Sequence, residues 1–175
     1  MEFKALIEQR RSVRAYRETA ITREALEGIL TAARRAPSWK NMQASRCYAV
    51  VTPEKLAEVR AALPSFNQNS SKNAALIVTT FVKGQVGHTN GAPDNELGDM
   101  WGAYDLGLHD AYLILAAKDA GYDTLIMGIR DADALRQALA IPEEEQVVSV
   151  IAVGMAAQEP ALKQRKPLEE VARFC

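Results

Sequence analysis

Residues 8–16 read EQRRSVRAY and bring Arg10, Arg11, Ser12 and Arg14 close together near the start of the chain. A guanidinium is planar and permanently charged, and it can place two parallel hydrogen bonds on phosphate oxygens, each roughly twice as strong as a neutral one. In an extended segment Arg10, Ser12 and Arg14 point to the same side, which outlines a phosphate clamp. The simpler reading is a solvated basic helix end, since Arg10 and Arg11 would complement the negative C-terminal dipole of a preceding helix. Taken alone, the stretch favours the simpler reading. No G-x-G-x-x-G follows a strand and no Walker loop occurs, so any phosphate must be held by side chains.

Three further stretches carry polar chemistry. In APSWKNMQAS, residues 36–45, Ser38, Asn41 and Gln43 supply donors and acceptors on a turn stiffened by Pro37. Such a turn suits a polyhydroxylated chain or an aromatic edge, and equally it could cap the preceding helix. Asn69 and Lys72 place an amide and a cation three residues apart in NSSK, and KQRKP offers Lys163, Arg165 and Lys166. Each reads singly as surface charge. His88 and His109 have no partner identifiable in sequence and read as structural or surface groups. Cys47 and Cys175 lack the spacing of a zinc site, a redox motif or a disulfide framework.

The elements that must position these groups follow from periodicity. Phe3, Leu6 and Ile7 recur at helical spacing and predict a helix over 3–9 that delivers the arginines at its end. Thr22 caps a second helix with Leu26, Ile29, Leu30 and Ala33 on one face, stopped at Pro37. Residues 47–51 read as a buried strand. Thr52-Pro53 reads as the cap and first position of a helix ending at Pro64. SFNQNSSKN reads as a polar loop before AALIVTTFV, a strand covered on both faces. Residues 83–98, with four glycines, read as a mobile surface loop and candidate lid. A helix over 99–120, apolar on more than one face, ends at Gly121. DTLIMG is a short strand, DADALRQAL a helix capped by Asp131, and QVVSVIAVGMA the last core strand.

Composition bounds the rest. The chain has 175 residues, 48% of them hydrophobic, enough for one domain with a real core. Lysines and arginines number 21 against 22 acidic residues, which argues against a nucleic-acid module built on the arginine cluster and against anionic membranes. No signal-peptide or membrane-spanning stretch is read, so a cytoplasmic protein is expected. The final stretch, 158–175, is polar with two prolines and is expected to lie along something else, a partner subunit being one candidate.

The four polar stretches occur together, in order. The chain resembles the nitroreductase family of flavin enzymes: RRSVRAY is similar to its opening arginine-serine-basic motif and APSWKNMQ to its proline-serine-x-x-asparagine-x-glutamine turn, while NSSK, LIMG and KQRKPLEEV match later landmarks. The resemblance spans residues 3–174. It implies an α+β three-layer sandwich, a mixed sheet of four strands plus one from the partner's C-terminal tail, in a single domain over 1–175 whose arm, 158–175, wraps the partner. It also implies FMN at the interface of a homodimer and NADH or NADPH as reductant. The expected chemistry is ping-pong hydride transfer to nitroaromatics, quinones or similar small oxidants, with no catalytic protein residue beyond those holding the flavin. A non-catalytic flavin-storage or flavin-sensing protein is the alternative. Residue by residue, the resemblance makes Arg10, Ser12, Lys163 and Arg165 ligands of the FMN phosphate and sets Arg11 beside the ribityl chain. Arg14 and Lys72 become cations near the flavin N1 and O2 edge, and Asn69 a partner of the pyrimidine ring. Pro37, Ser38, Trp39 and Asn41 fall in the segment that reaches the other subunit's flavin, and Met127 and Gly128 offer backbone N–H groups to its N5 and O4 region. This chain departs from the family in Trp39, where a small polar residue is usual, in Ala44 and Ser45, where proline and tryptophan are common, and in a short 83–98 region.

Overall fold

The computed structural model describes residues 2–175. Its centre is a four-stranded sheet in the order β1 (Ser45–Val50), β2 (Ala75–Val82), β6 (Glu145–Gly154), β5 (Asp123–Met127). All three ladders are antiparallel, and β2 and β6 lose register at Thr79/Thr80. The parallel component among the described residues is the single bridge Ser12–Thr124.

Period-two alternation divides the central strand between two cores. Leu76 and Val78 of β2 face one way, with Val59 of α3 (Pro53–Ala61) and Leu135 of α6 (Ala132–Leu139). Ile77 faces the other way, with Ile29 of α2 (Arg23–Ala33) and Leu113 and Ala117 of α5 (Met100–Asp119). Helix pair, sheet, helix pair makes the three layers. Each fully buried aliphatic side chain contributes about 1.5–3 kcal/mol, so two such cores readily hold the frame. One contact is unusually close: a Cβ on Gly102 of α5 would lie 2.3 Å from Phe81 Cδ2 of β2.

Helix starts follow local chemistry. Thr22 accepts from Ala25 N–H, and Asp131 accepts from Asp133 and Ala134 N–H, as expected of N-caps. Thr52 makes no side-chain cap, leaving Pro53 to open α3 by its fixed φ alone. The α5 helix ends at Gly121, which adopts φ +85°.

Three local expectations are corrected. SFNQNSSKN contains a helix, α4 (Ser65–Ser70), because Asn67 and Gln68 N–H bond back to Pro64 C=O at 2.9 and 3.0 Å. The 83–98 stretch is folded rather than loose: it forms a small hairpin of β3 (His88–Thr89) and β4 (Ala92–Pro93), buries Val86, and is tied down by Gly84 N–H to Asp99 Oδ1 at 2.7 Å. The α5 helix, apolar on several faces, is buried on one; Met100, Tyr104 and Tyr112 stay exposed. The tail after Gly154 has one short helix, α7 (Leu168–Val171), and leaves Leu162, Leu168, Val171 and Phe174 exposed.

Candidate flavin-binding site

Helix α1 (Phe3–Gln9) ends at Arg10, whose φ −60°, ψ 128° turns the chain into extended backbone. That strand-like segment lies along the end of the sheet. Ser12 bridges Thr124 of β5, Val13 N–H donates to Thr124 C=O at 3.0 Å, and Arg17 N–H donates to Met155 C=O at 2.9 Å. Val13 and Tyr16 are thereby buried, with the Tyr16 hydroxyl donating to Val13 C=O at 2.9 Å. Gly154 is required beneath them, since a Cβ there would meet Tyr16 Cδ1 at 2.9 Å. Anchored by Val13, the segment turns Ser12 and Arg14 outward.

The tail returns to this same place. Arg10, Arg11, Ser12 and Arg14 line a cleft of about 190 Å³ with Pro160, Lys163 and Arg165, residues some 150 positions apart in sequence and free of any carboxylate in the lining. Burial, then Arg165, then Arg11 push the Arg10 guanidinium below its ordinary pKa, and Asp123 opposes this as the smallest of the four influences. An anion placed among these cations would turn each repulsion into a charge-assisted bond. Arg11 also satisfies the simpler reading: its Nη1 donates to Glu8 C=O and, at 2.9 Å, to Arg10 C=O, closing the end of α1.

A second group stands at the other end of β5. Met127 is its last residue, and a Cβ on Gly128 would meet open space. Ile126 and Ile129 on either side are exposed, a bare apolar surface at a strand edge. Asn67 Nδ2 donates to Ile129 C=O at 3.3 Å, tying α4 to this end of β5, with Asn69 on α4 and Lys72 just beyond it. Asn73 Nδ2 donates to Tyr16 C=O at 3.3 Å, so the α4–β2 connection also touches the arginine segment. Strand β5 thus carries the arginine cleft near its start and the Met127–Gly128 backbone at its end.

The third group, Pro37, Ser38, Trp39 and Asn41, does not line the arginine cleft. It forms a strained turn: Lys40, Asn41 and Gln43 adopt φ of 46°, 56° and 51°, at a cost of order 1–3 kcal/mol for each non-glycine residue so held. Gln43 N–H donates to Ser38 Oγ at 3.1 Å, and Trp39 N–H donates to Asp105 Oδ2 of α5 at 2.8 Å. The Trp39 ring stacks on Trp101, centroids 4.9 Å apart, and Trp101 on Tyr104 at 5.5 Å. Lys40 Nζ lies 3.8 Å from Asp94 of the hairpin. A cavity of about 220 Å³ beside the turn has Arg34, Ser38, Gln43, Arg46, Asp105 and His109 among its lining residues.

Asp105 and Trp101 were not anticipated from sequence. The usable signal was a carboxylate within a helix reading apolar on several faces, because a buried acid needs a donor. His109 is structural as expected, its Nδ1 3.3 Å from Asp110 Oδ1 and its Nε2 4.0 Å from Cys47 Sγ. Burial, aided by Asp110, pushes the Cys47 thiol up to about 12, which disfavours the reactive thiolate.

The class defined by the fold is a three-layer α+β sandwich whose terminal strand, β5, has a cationic cleft near its start. The nitroreductase family model matches residues 7–155. A protein of Archaeoglobus fulgidus with the inferred name NADH dehydrogenase/NAD(P)H nitroreductase is 30% identical over 157 residues, covering 85% of this chain and 82% of that protein. The NADH dehydrogenase of Thermus thermophilus is 26% identical, covering 93% of this chain and 91% of its own. A crystal structure of a nitroreductase, so named by inference, from Exiguobacterium sibiricum in complex with FMN superposes with TM-score 0.84 at 23% identity, covering 100% of this chain and 98% of that one. The chain belongs to the nitroreductase family and is an oxidoreductase.

Proposed function

We propose that the protein is an FMN-dependent oxidoreductase that takes hydride from NADH or NADPH and passes it, in a second half-reaction, to a nitroaromatic, a quinone or a similar small oxidant. The observation that carries this reading is the convergence of Arg10, Arg165 and Lys163 around Ser12 in a cleft without a carboxylate. FMN, when bound, supplies a ring that accepts hydride from the nicotinamide and gives it up to the oxidant. Arg10, Ser12, Lys163 and Arg165 hold its phosphate, with Arg11 beside the ribityl chain. Arg14 and Lys72 set positive charge at the N1 and O2 edge, where it stabilises the reduced form more than the oxidised and raises the potential. Asn69 bonds the pyrimidine ring, and Met127 and Gly128 turn backbone N–H groups toward N5 and O4. The bare surface of Ile126 and Ile129 suits an aromatic ring or a covering partner.

The second protomer completes this site. Pro37, Ser38, Trp39 and Asn41, which do not reach their own arginine cleft, serve the partner's flavin in a homodimer. The exposed Met100, Tyr104 and Tyr112 of α5, together with tail residues Leu168, Val171 and Phe174, supply the apolar area such a dimer buries, with arm 158–175 wrapping the partner. Free Cys47 and Cys175 suit a reducing compartment, the cytoplasm. Among the described residues no helix is long and apolar enough to cross a membrane.

Anaerobic mixing of the FMN-loaded protein with NADH and with NADPH tests the reading. Rapid loss of flavin absorbance, restored by a quinone, is expected. Flavin retained but unreduced by either nicotinamide would leave the storage or sensing alternative instead.

A further inference from the structure

The turn at 38–43 holds three non-glycine residues in the left-handed region, and such a conformation persists only where surroundings impose it. Two fixtures act on Trp39 itself. Trp39 N–H ends on Asp105 Oδ2 at 2.8 Å, across 66 residues of sequence. The Trp39 indole rests on Trp101, itself held by Nε1 donating to Asn95 Oδ1 at 2.9 Å and by Gly87, where a Cβ would lie 2.7 Å from the Trp101 ring. The Trp39 Nε1 is buried without an acceptor among the described residues, so stacking rather than hydrogen bonding fixes the ring.

Asp105 is an expensive way to satisfy one backbone N–H. It is 4% exposed, and burial raises its pKa while the Trp39 N–H works against that shift. Arg34, Arg46 and His109 share its cavity, yet none forms an ion pair with it among the described residues. An acid buried mid-helix in contact with a strained turn is built for holding that turn.

We infer that Asp105 is a positioning residue: its carboxylate locks the Trp39 turn against the Trp101 stack, so that Trp39 stands as a fixed aromatic wall at the partner protomer's flavin. The functional half rests on the dimer reading above; the locking half rests on this chain's geometry alone. The acceptor is what matters, so an amide oxygen substitutes for the carboxylate and an apolar side chain does not.

The test compares Asp105→Asn and Asp105→Leu with the parent, all as FMN-loaded full-length protein. Near-ultraviolet circular dichroism reads the coupled pair of indoles; flavin dissociation and steady-state kinetics read the site. Asp105→Leu is expected to keep its far-ultraviolet spectrum, lose the indole couplet, and bind FMN about tenfold or more weaker, while Asp105→Asn stays within about threefold of the parent. A couplet and an FMN affinity unchanged in Asp105→Leu overturn the inference. A lost couplet with FMN affinity, kcat and KM unchanged overturns the wall at the flavin and places the fault in the dimer reading. Should Asp105→Leu fail to fold, hydrogen exchange on the unaltered protein decides: Trp39 N–H, bonded to Asp105, is expected to exchange far more slowly than the Lys40 amide beside it, and exchange at the same rate overturns the lock.

Discussion

Replacing Arg10 with glutamine should move the stability of the flavin-free and flavin-bound protein in opposite directions. Without an anion, Arg10 is disfavoured by burial, by Arg165 and by Arg11. Its removal relieves that repulsion. The cleft is partly open, so solvent screening limits the gain to about 0.5 kcal/mol, or an increase of roughly 1–2 °C in Tm. With FMN bound, the same change deletes a charge-assisted contact to phosphate worth about 1.5–3 kcal/mol. Affinity should fall about 10- to 150-fold, and the Tm increase produced by saturating FMN should shrink by roughly 3–12 °C. Thermal scans of parent and Arg10→Gln, with and without FMN, read both effects, and the apoprotein gain should vanish at about 1 M salt, where charges are screened over about 3 Å. Equal destabilisation with and without FMN would show Arg10 to be a structural residue and refute the clamp.

Three other outcomes follow from the packing. Gly102→Ala drives a methyl to 2.3 Å from the Phe81 ring and should cost about 1–3 kcal/mol in denaturant unfolding, whereas the same change at Gly28, whose Cβ would meet nothing within 4 Å, should stabilise by up to about 1 kcal/mol. Cys47 is held as a neutral thiol with a native pKa of about 12 against roughly 8.5 unfolded, so its contribution is complete below the unfolded value and is lost as pH climbs toward 12. Between about pH 8 and about pH 10 the parent should lose roughly 1.5 kcal/mol more stability than Cys47→Ala, and an identical slope would contradict the burial of that thiol. If the arm grips a partner as proposed, Phe174→Glu, on a side chain 91% exposed, should shift the protein toward monomer in sedimentation and weaken flavin retention, although Phe174 does not line the arginine cleft; an unchanged sedimentation profile would show that the arm grips no partner.

Much of the fold was legible because its signals are local. Thr22 and Asp131 announced their helices by capping chemistry, Gly121 ended α5, and the continuous β-branched and apolar character of β2 signalled a strand covered on both faces. The α4 helix was not legible, because SFNQNS has no apolar period and its nucleation depends on the Pro64 carbonyl. The folding of 83–98 was hidden for a related reason: its glycines suggested mobility, but Gly87 is there to let Trp101 approach. Of the candidate site, the arginines and the tail cations read on their chemistry alone as a helix end and surface charge; the family resemblance assigned them to one phosphate, and their meeting in one cleft needed the fold. Asp105 escaped because its partner is a backbone N–H 66 residues away, and a backbone donor leaves no trace in residue type.

Whether the cationic cleft grips a phosphate is isolated by riboflavin, which is FMN without its phosphate. Titrated into the flavin-free protein, FMN should bind about 100-fold or more tighter than riboflavin, with the gap closing as salt rises and in Arg10→Gln. Equal affinity for the two flavins, within about threefold, would mean that Arg10, Ser12, Lys163 and Arg165 do not hold a phosphate.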